Sequence, residues 1–148
     1  DEARFMLAIT LGKAMPKAEL PKRIPQSLLL EQFENLAPAF NEQQLEQFKY
    51  DGHTQLANAV RTAVVPGRMN HVVLDLGVGT GLCAPLLRDL ASHISGVDIS
   101  PAMLNQAVQV LDSRGQKAYD ALIRRDAVEF ITDGPSDSYD IIMAAGLV

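Results

Sequence analysis

Residues 72–84 read Val-Val-Leu-Asp-Leu-Gly-Val-Gly-Thr-Gly-Leu-Cys-Ala, and seventeen residues beyond Gly81 stands Asp98. An apolar, β-branched run ends at Asp75, three glycines follow at alternate positions, and a helical pattern begins after them. A second apolar run, Ile94 to Asp98, again ends in an acid. This order predicts a strand, a loop stripped of side chains, a helix and a second strand that presents a carboxylate. A plain strand-to-helix turn needs one glycine. Three predict that something packs on the bare backbone, as a nucleoside-bearing cofactor would, with its ribose hydroxyls held by the second acid.

Outward from this stretch the alternation continues. Val72 to Leu76 and Ile94 to Asp98 are the first two predicted strands, with a helix over Leu82 to Leu90 between them. Ser100 and Pro101 open a helix expected to run to about Ser113 and to stop at Gly115. Ala121 to Arg124 is a third strand, Ala127 to Ile131 a short helix, Asp133-Gly134-Pro135 a turn and Tyr139 to Ala145 a fourth strand. A βαβαβαβ order requires a parallel sheet with helices on both faces. The fold class is therefore α/β, a Rossmann-like doubly wound parallel sheet truncated after strand four, with an N-terminal helical lead-in. Ligands of such sheets bind beyond the carboxyl ends of the strands. Asp75 with Gly77, Asp98, Asp126 and Ala145 all fall there, as one site.

Before residue 70 the pattern is helical. Residues 2–12 carry an amphipathic stripe stopped by Gly12, and Pro16, Pro21 and Pro25 mark a linker. Ser27 is the expected cap of a helix over 28–36. Residues 43–50 are weakly helical, Asp51-Gly52 signals a turn, and residues 54–65 form a helix closed by Pro66-Gly67. We divide the chain into residues 1–24, a helical segment and Pro-rich linker, 25–68, a helical lid or lead-in, and 69–148, the nucleotide-binding unit. Both ends read as cut. An open apolar edge at strand four is expected to be covered, by the lead-in helices or by a second copy in a homodimer.

Composition narrows the function classes. The 148 residues, 47% apolar and 21% charged, carry a net charge of −5 without clustered basic residues, which disfavours a nucleic-acid footprint. The single cysteine, Cys83, excludes an intrachain disulfide and suits a reducing cytoplasm. No apolar run approaches the roughly 18 residues of a membrane span. His53, His71 and His93 are not spaced as metal ligands, so no metal is expected. Cys83, Tyr119 and Tyr139 read as packing residues, and His71 as bordering the first strand. Phe33, Phe40 and Tyr50 are placed either in the core or in a lid over the cofactor.

The residues themselves leave two cofactors open. Gly79-Thr80-Gly81-Leu82-Cys83-Ala84 also satisfies the dinucleotide fingerprint with alanine last. Against a dinucleotide, Asp75 would repel a pyrophosphate but suits an ammonium group. Ile99 follows the ribose acid, placed to cover an adenine, and Asp126 closes strand three where an exocyclic amine can bind.

Four ordered stretches carry a family resemblance: 73–81 (Val-Leu-Asp-Leu-Gly-Val-Gly-Thr-Gly), 97–104 (Val-Asp-Ile-Ser-Pro-Ala-Met-Leu), 125–127 (Arg-Asp-Ala) and 139–142 (Tyr-Asp-Ile-Ile). Together they resemble motifs one to four of class I S-adenosylmethionine-dependent methyltransferases. The stretch 30–40, with Tyr50-Asp51 after it, is similar to the lead-in of a bacterial subgroup in which a tetratricopeptide-like helical region precedes the methyltransferase domain. Residues 1–15 would then be the last helix of such an array. The resemblance implies S-adenosyl-L-methionine as cofactor. Asp75 and the backbone of Gly77, Val78, Gly79 and Gly81 would hold its methionine part, and Asp98 both ribose hydroxyls. Ile99 would cover the adenine beside Met103, and Asp126 with the Ala127 amide would read its edge. Ala145 and Gly146 would lie near the sulfonium, although the subgroup usually carries an acid where this chain has Gly146. The implied activity is methyl transfer to a small-molecule or protein acceptor that the sequence does not name. A nicotinamide-dependent oxidoreductase and a non-catalytic interaction module are the alternatives.

Overall fold

A computed structural model describes residues 25–47 and 49–145. The helix over 2–12 with its stop at Gly12, the linker prolines Pro16 and Pro21, and Gly146 lie outside the described residues. The lead-in comprises helix α1 (Gln26–Leu36), a 3₁₀ turn (Ala37–Ala39), a π-helical turn (Glu42–Gln47) and helix α2 (Gly52–Ala63). Four parallel strands follow, β1 (His71–Leu76), β2 (Ala91–Asp98), β3 (Ala121–Arg124) and β4 (Ile141–Ala144). Helices α3 (Ala84–Leu87), α4 (Pro101–Ala107) and α5 (Ala127–Asp133) connect them.

The sheet order is β3-β2-β1-β4. Register sets Asp75 opposite Gly96 on one side and Met143 on the other, with Asp98 opposite Arg124. The chain leaves β1 toward β2 and β3, then returns to pair β4 on the far side. A crevice therefore opens beyond the carboxyl end of β1, where neighbouring connections diverge.

Alternation along β1 builds two cores, as the period of two demands. Val73 enters a cluster with Ile94, Leu87, Ala107 and Tyr119, to which Ala57 and Val60 of α2 also belong. Leu74 and Leu76 face the other way, with Val97, against Ile123, Phe130 and Tyr139. Helices thus cover both faces, and Tyr139 packs as expected. β4 is an edge strand that pairs only β1 among the described residues, and Ile142 on it is 56% exposed.

Several boundaries differ from the sequence expectation. The helix after the glycine loop is a single turn, Ala84–Leu87, rather than Leu82 to Leu90. Pro85 fits only a first helical turn, so the helix cannot start earlier, and a hydrogen bond donated by the Leu90 amide to Leu87 O then turns the chain into β2. β2 begins at Ala91, three residues early, because His71 and Val72 extend the ladder to Ala91 and His93. α4 stops at Ala107, not near Ser113: the Asp112 carboxylate takes the Arg114 and Gln116 amides at 2.9 Å each and folds a tight turn there. Gly115, at φ +75°, shapes that turn instead of ending a helix. Ser27 lies inside α1, whose first amides bond to Pro25 O without a side-chain cap. α2 spans Gly52–Ala63, two residues ahead of expectation, since Val65 precedes Pro66 and is pushed out of the helical region. α5 continues to Asp133, and the bonded turn moves to Ser136-Asp137. β4 is confined to Ile141–Ala144, because the Asp140 carboxylate is committed to the Val72 amide and Arg68.

Candidate functional site

The glycine loop is built by backbone geometry as much as by space. Gly77, Gly79 and Gly81 all have positive φ, at 66°, 54° and 89°. A Cβ on Gly79 would meet nothing nearer than Gly77 O at 4.0 Å, whereas one on Gly81 would lie 3.0 Å from the Tyr119 ring and 3.2 Å from Ala107. The three glycines thus do different work. Gly79 faces open space, and Gly81 allows the loop to press on the core.

The loop is fastened by Asp98 at the end of β2. Its Oδ2 accepts the Gly79 amide at 2.8 Å, and its Oδ1 accepts the Ser100 amide at 2.9 Å. Ser100 in turn caps α4 by accepting from the Met103 amide at 3.2 Å, as the sequence suggested. Burial pushes the Asp98 carboxyl up from its ordinary value, and the Ser100 and Gly79 amides oppose that shift.

Asp75 is deeper, 1% exposed, and burial lifts its carboxyl to about 7 against the lowering effect of a hydrogen bond donated by Tyr119 Oη at 2.7 Å. The nearby Asp98 charge raises it further. The partners of these two carboxylates among the described residues are backbone amides and a phenol, none of them cationic. A buried anion without a counter-charge is costly, so the pair favours a ligand that brings positive charge.

Asp126, after β3, caps α5: its Oδ1 accepts the Val128 and Glu129 amides at 2.9 and 3.0 Å. Gln26 Nε2, from the first turn of α1, donates to its Oδ2 at 3.3 Å.

These groups open onto one cavity of ≈ 690 Å³, within the range of small-molecule sites. Asp75, Gly77, Val78 and Gly79 line it from the first strand and its loop, Asp98, Ile99 and Met103 from the end of β2 and α4, and Asp126, Ala127 and Ala145 from beyond β3 and β4. Of the expected site residues that are described, only Gly81 does not line it. Leu29, Phe33, Phe40 and Tyr50 of the lead-in also line it, so the aromatic residues left between core and lid belong to the cavity wall. Further hydrogen bonds tie this cover to the glycine loop and the start of α4, Thr80 Oγ1 to Asn41 Oδ1 at 2.5 Å and the Ala102 amide to Glu34 Oε1 at 3.3 Å.

Sequence reasoning missed several neighbours. Thr80 and Arg125, inside the quoted motifs, line the cavity, as does His53. His53 stacks on Tyr50 with ring centroids 5.9 Å apart, and its Nδ1 is buried without a hydrogen-bond partner among the described residues. Tyr119 is the other omission: it is core, but also the partner of Asp75. Cys83 packs in the core with its thiol pushed up to about 12 by burial and the Asp75 charge, as expected of a packing residue. His71 is buried at the opposite end of β1 from the cavity. Among the described residues no group of three or more His, Cys, Asp or Glu side chains is arranged to hold a metal, and no helix is long and apolar enough to cross a membrane.

Comparison with known proteins gives a consistent family signal. Residues 73–148 match the family model described as a methyltransferase domain. Over 88 residues the chain is 34% identical to a phosphatidylethanolamine N-methyltransferase of Cereibacter sphaeroides, covering 60% of this chain and 42% of that protein. Over 93 residues it is 33% identical to an 18S rRNA (guanine-N(7))-methyltransferase of Bos taurus, covering 54% of this chain and 33% of that protein. The chain thus spans less than half the length of these curated relatives. Among solved structures, the DhpI–SAM–HEP complex superposes with a TM-score of 0.55 at 19% identity, over 80% of this chain and 49% of that one, a likeness of fold.

Proposed function

The chain belongs to the methyltransferase-domain family, and from that premise we propose that it binds S-adenosylmethionine and serves methyl transfer to an acceptor. The observation that carries this is the convergence of Asp75, Asp98 and Asp126 with the Gly77–Gly81 loop on one covered cavity. Two buried carboxylates without a cationic partner among the described residues suit a ligand that carries an ammonium and a sulfonium. In this assignment Asp75 and the loop backbone hold the methionine part, and Asp98 takes the ribose hydroxyls with lone pairs its two amide bonds leave available. Ile99 and Met103 flank the adenine, Asp126 and the Ala127 amide meet its edge, and Ala145 lies toward the reacting end.

When bound, the cofactor supplies an electrophilic methyl carbon. The chain's own contribution is orientation and exclusion of water. The Gly79 amide bond to Asp98 fixes loop against strand, and Phe33, Phe40 and Tyr50 close the cavity from above. The acceptor side is the wall that the lead-in provides, with His53 and Tyr50 on it.

The division at residue 68 follows from this assignment, residues 25–68 acting as lid and 69–148 as the cofactor-binding unit. The helices over 26–63 ahead of the sheet support membership of the bacterial subgroup with a tetratricopeptide-like region upstream. The absence of basic clustering supports a small molecule or protein as acceptor rather than nucleic acid. Covering of the exposed β4 edge by a second copy belongs to the same proposal.

Thermal unfolding with either S-adenosylhomocysteine or NADH separates the readings. We expect the melting temperature to rise with the first ligand and not with the second. The reverse result would support the nicotinamide alternative, and binding without methyl transfer to any acceptor would support a non-catalytic module.

A further inference from the structure

The Tyr119 ring lies where two glycines make room for it. A Cβ on Gly81 would come within 3.0 Å of Tyr119 Cε2, and one on Gly96 within 3.1 Å of Tyr119 Cδ1. Gly96 sits opposite Asp75 in the β1–β2 ladder, and Leu122, Val78 and the Tyr119 ring fill the space its missing side chain leaves. The phenol, 6% exposed, is hydrogen-bonded to Asp75 Oδ2 at 2.7 Å. In that hydrogen bond the phenol donates and the Asp75 carboxylate accepts.

From this arrangement we infer that Tyr119 is a positioning residue of the cofactor site, donating to Asp75 so that the carboxylate is held in place for the ammonium of the ligand and its charged form is favoured. The inference rests on the proposed S-adenosylmethionine site. Its physical basis is that a hydrogen bond donated to a carboxylate favours the charged form, here against burial that favours the neutral one. The groups that bear electrostatically on Asp75 are few. Tyr119 donates from the segment before β3, the Asp98 charge opposes from the end of β2, and the Cys83 thiol after the glycine loop is itself pushed up by Asp75. Among the described residues only Tyr119 donates a side-chain hydrogen bond to this carboxylate. The phenol is held well above its ordinary value by burial and by Asp75, so it stays a donor at any working pH.

The test is S-adenosylhomocysteine affinity of the intact protein as a function of pH, for wild type, Tyr119→Phe and Asp75→Asn. In the wild type, affinity should fall as the pH drops through the Asp75 titration, near 7. Tyr119→Phe should move the midpoint of that fall to higher pH while leaving the alkaline affinity within a few-fold. Asp75→Asn should bind weakly with that acid-side fall removed. A Tyr119→Phe profile superimposable on the wild type would overturn the inference and leave the tyrosine a packing residue, with the cofactor site intact. Failure of the wild type to bind at any pH would overturn the underlying site assignment instead. Should Tyr119→Phe not fold, 3-fluorotyrosine placed at position 119 serves in its stead. Its more acidic phenol should move the midpoint to lower pH, and an unmoved midpoint would refute the assignment.

Discussion

The Gly79 amide donates to Asp98 Oδ2 at 2.8 Å, joining the loop after the first strand to the end of the second. Because Asp98 Oδ1 also holds the Ser100 amide, one carboxylate clasps both walls of the crevice before any ligand arrives. Asp98 is thus structural as well as ligand-facing. Asp98→Ala should lower unfolding free energy by about 1–3 kcal/mol by leaving amides unpaired. Asp98→Asn, which keeps one acceptor oxygen, should cost less. Urea denaturation of the two variants checks the order.

The glycines should separate binding from folding. Gly79→Ala meets open space and pays mainly for a left-handed φ, about 1–2 kcal/mol. Such a variant should fold yet bind S-adenosylhomocysteine less well, because Gly79 lines the cavity. Gly81→Ala adds crowding against Tyr119 and Ala107 to the same strain and should lose more stability. Equal destabilisation by both would contradict the different surroundings described here.

Asp75 makes the unliganded protein's stability depend on pH in an unusual direction. Its folded carboxyl is raised from 3.8 to about 7, so between those values the native state holds a proton that the unfolded chain has released. Stability from this group is fully present below the unfolded value and is lost as pH rises through the folded one, at about 1.4 kcal/mol per unit of difference. Chemical denaturation across that window should show this loss in the wild type and not in Asp75→Asn. Ligand binding should offset it.

The lead-in aromatic residues should matter to the liganded state more than to the free one. Phe33 lines the cavity and is only partly buried without a ligand. Phe33→Ala should raise the Kd for S-adenosylhomocysteine by roughly tenfold, about 1.5 kcal/mol of lost apolar contact. The free protein's melting temperature should change little, which a thermal scan with and without ligand resolves.

Much of this site is legible because its signals are local. The alternation of Val73 and Leu74, the glycine spacing and the acids at strand ends each depend on a few neighbouring residues, and all but Gly81 of the expected residues that are described meet at one cavity. What the sequence hides is long-range. Tyr119 lies 44 positions from Asp75, and the parallel registers of β1 with β2 and of β2 with β3, with Gly96 bare on the middle strand, bring the phenol to the carboxylate. The fate of Phe33, Phe40 and Tyr50 was equally hidden, since aromatic residues at helical spacing serve a core or a lid alike until the helix is docked. Helix lengths failed where a side chain intervenes, as Pro85 shortens α3 and Asp112 captures the amides beyond α4.

Calorimetric titration of the intact protein with S-adenosylhomocysteine, beside Asp98→Ala, tests the central claim most directly. The account predicts saturable binding to a single site in the wild type and at least a tenfold weaker Kd in the variant, about 1.4 kcal/mol or more. Absence of binding in the wild type, or equal affinity in Asp98→Ala, would contradict it.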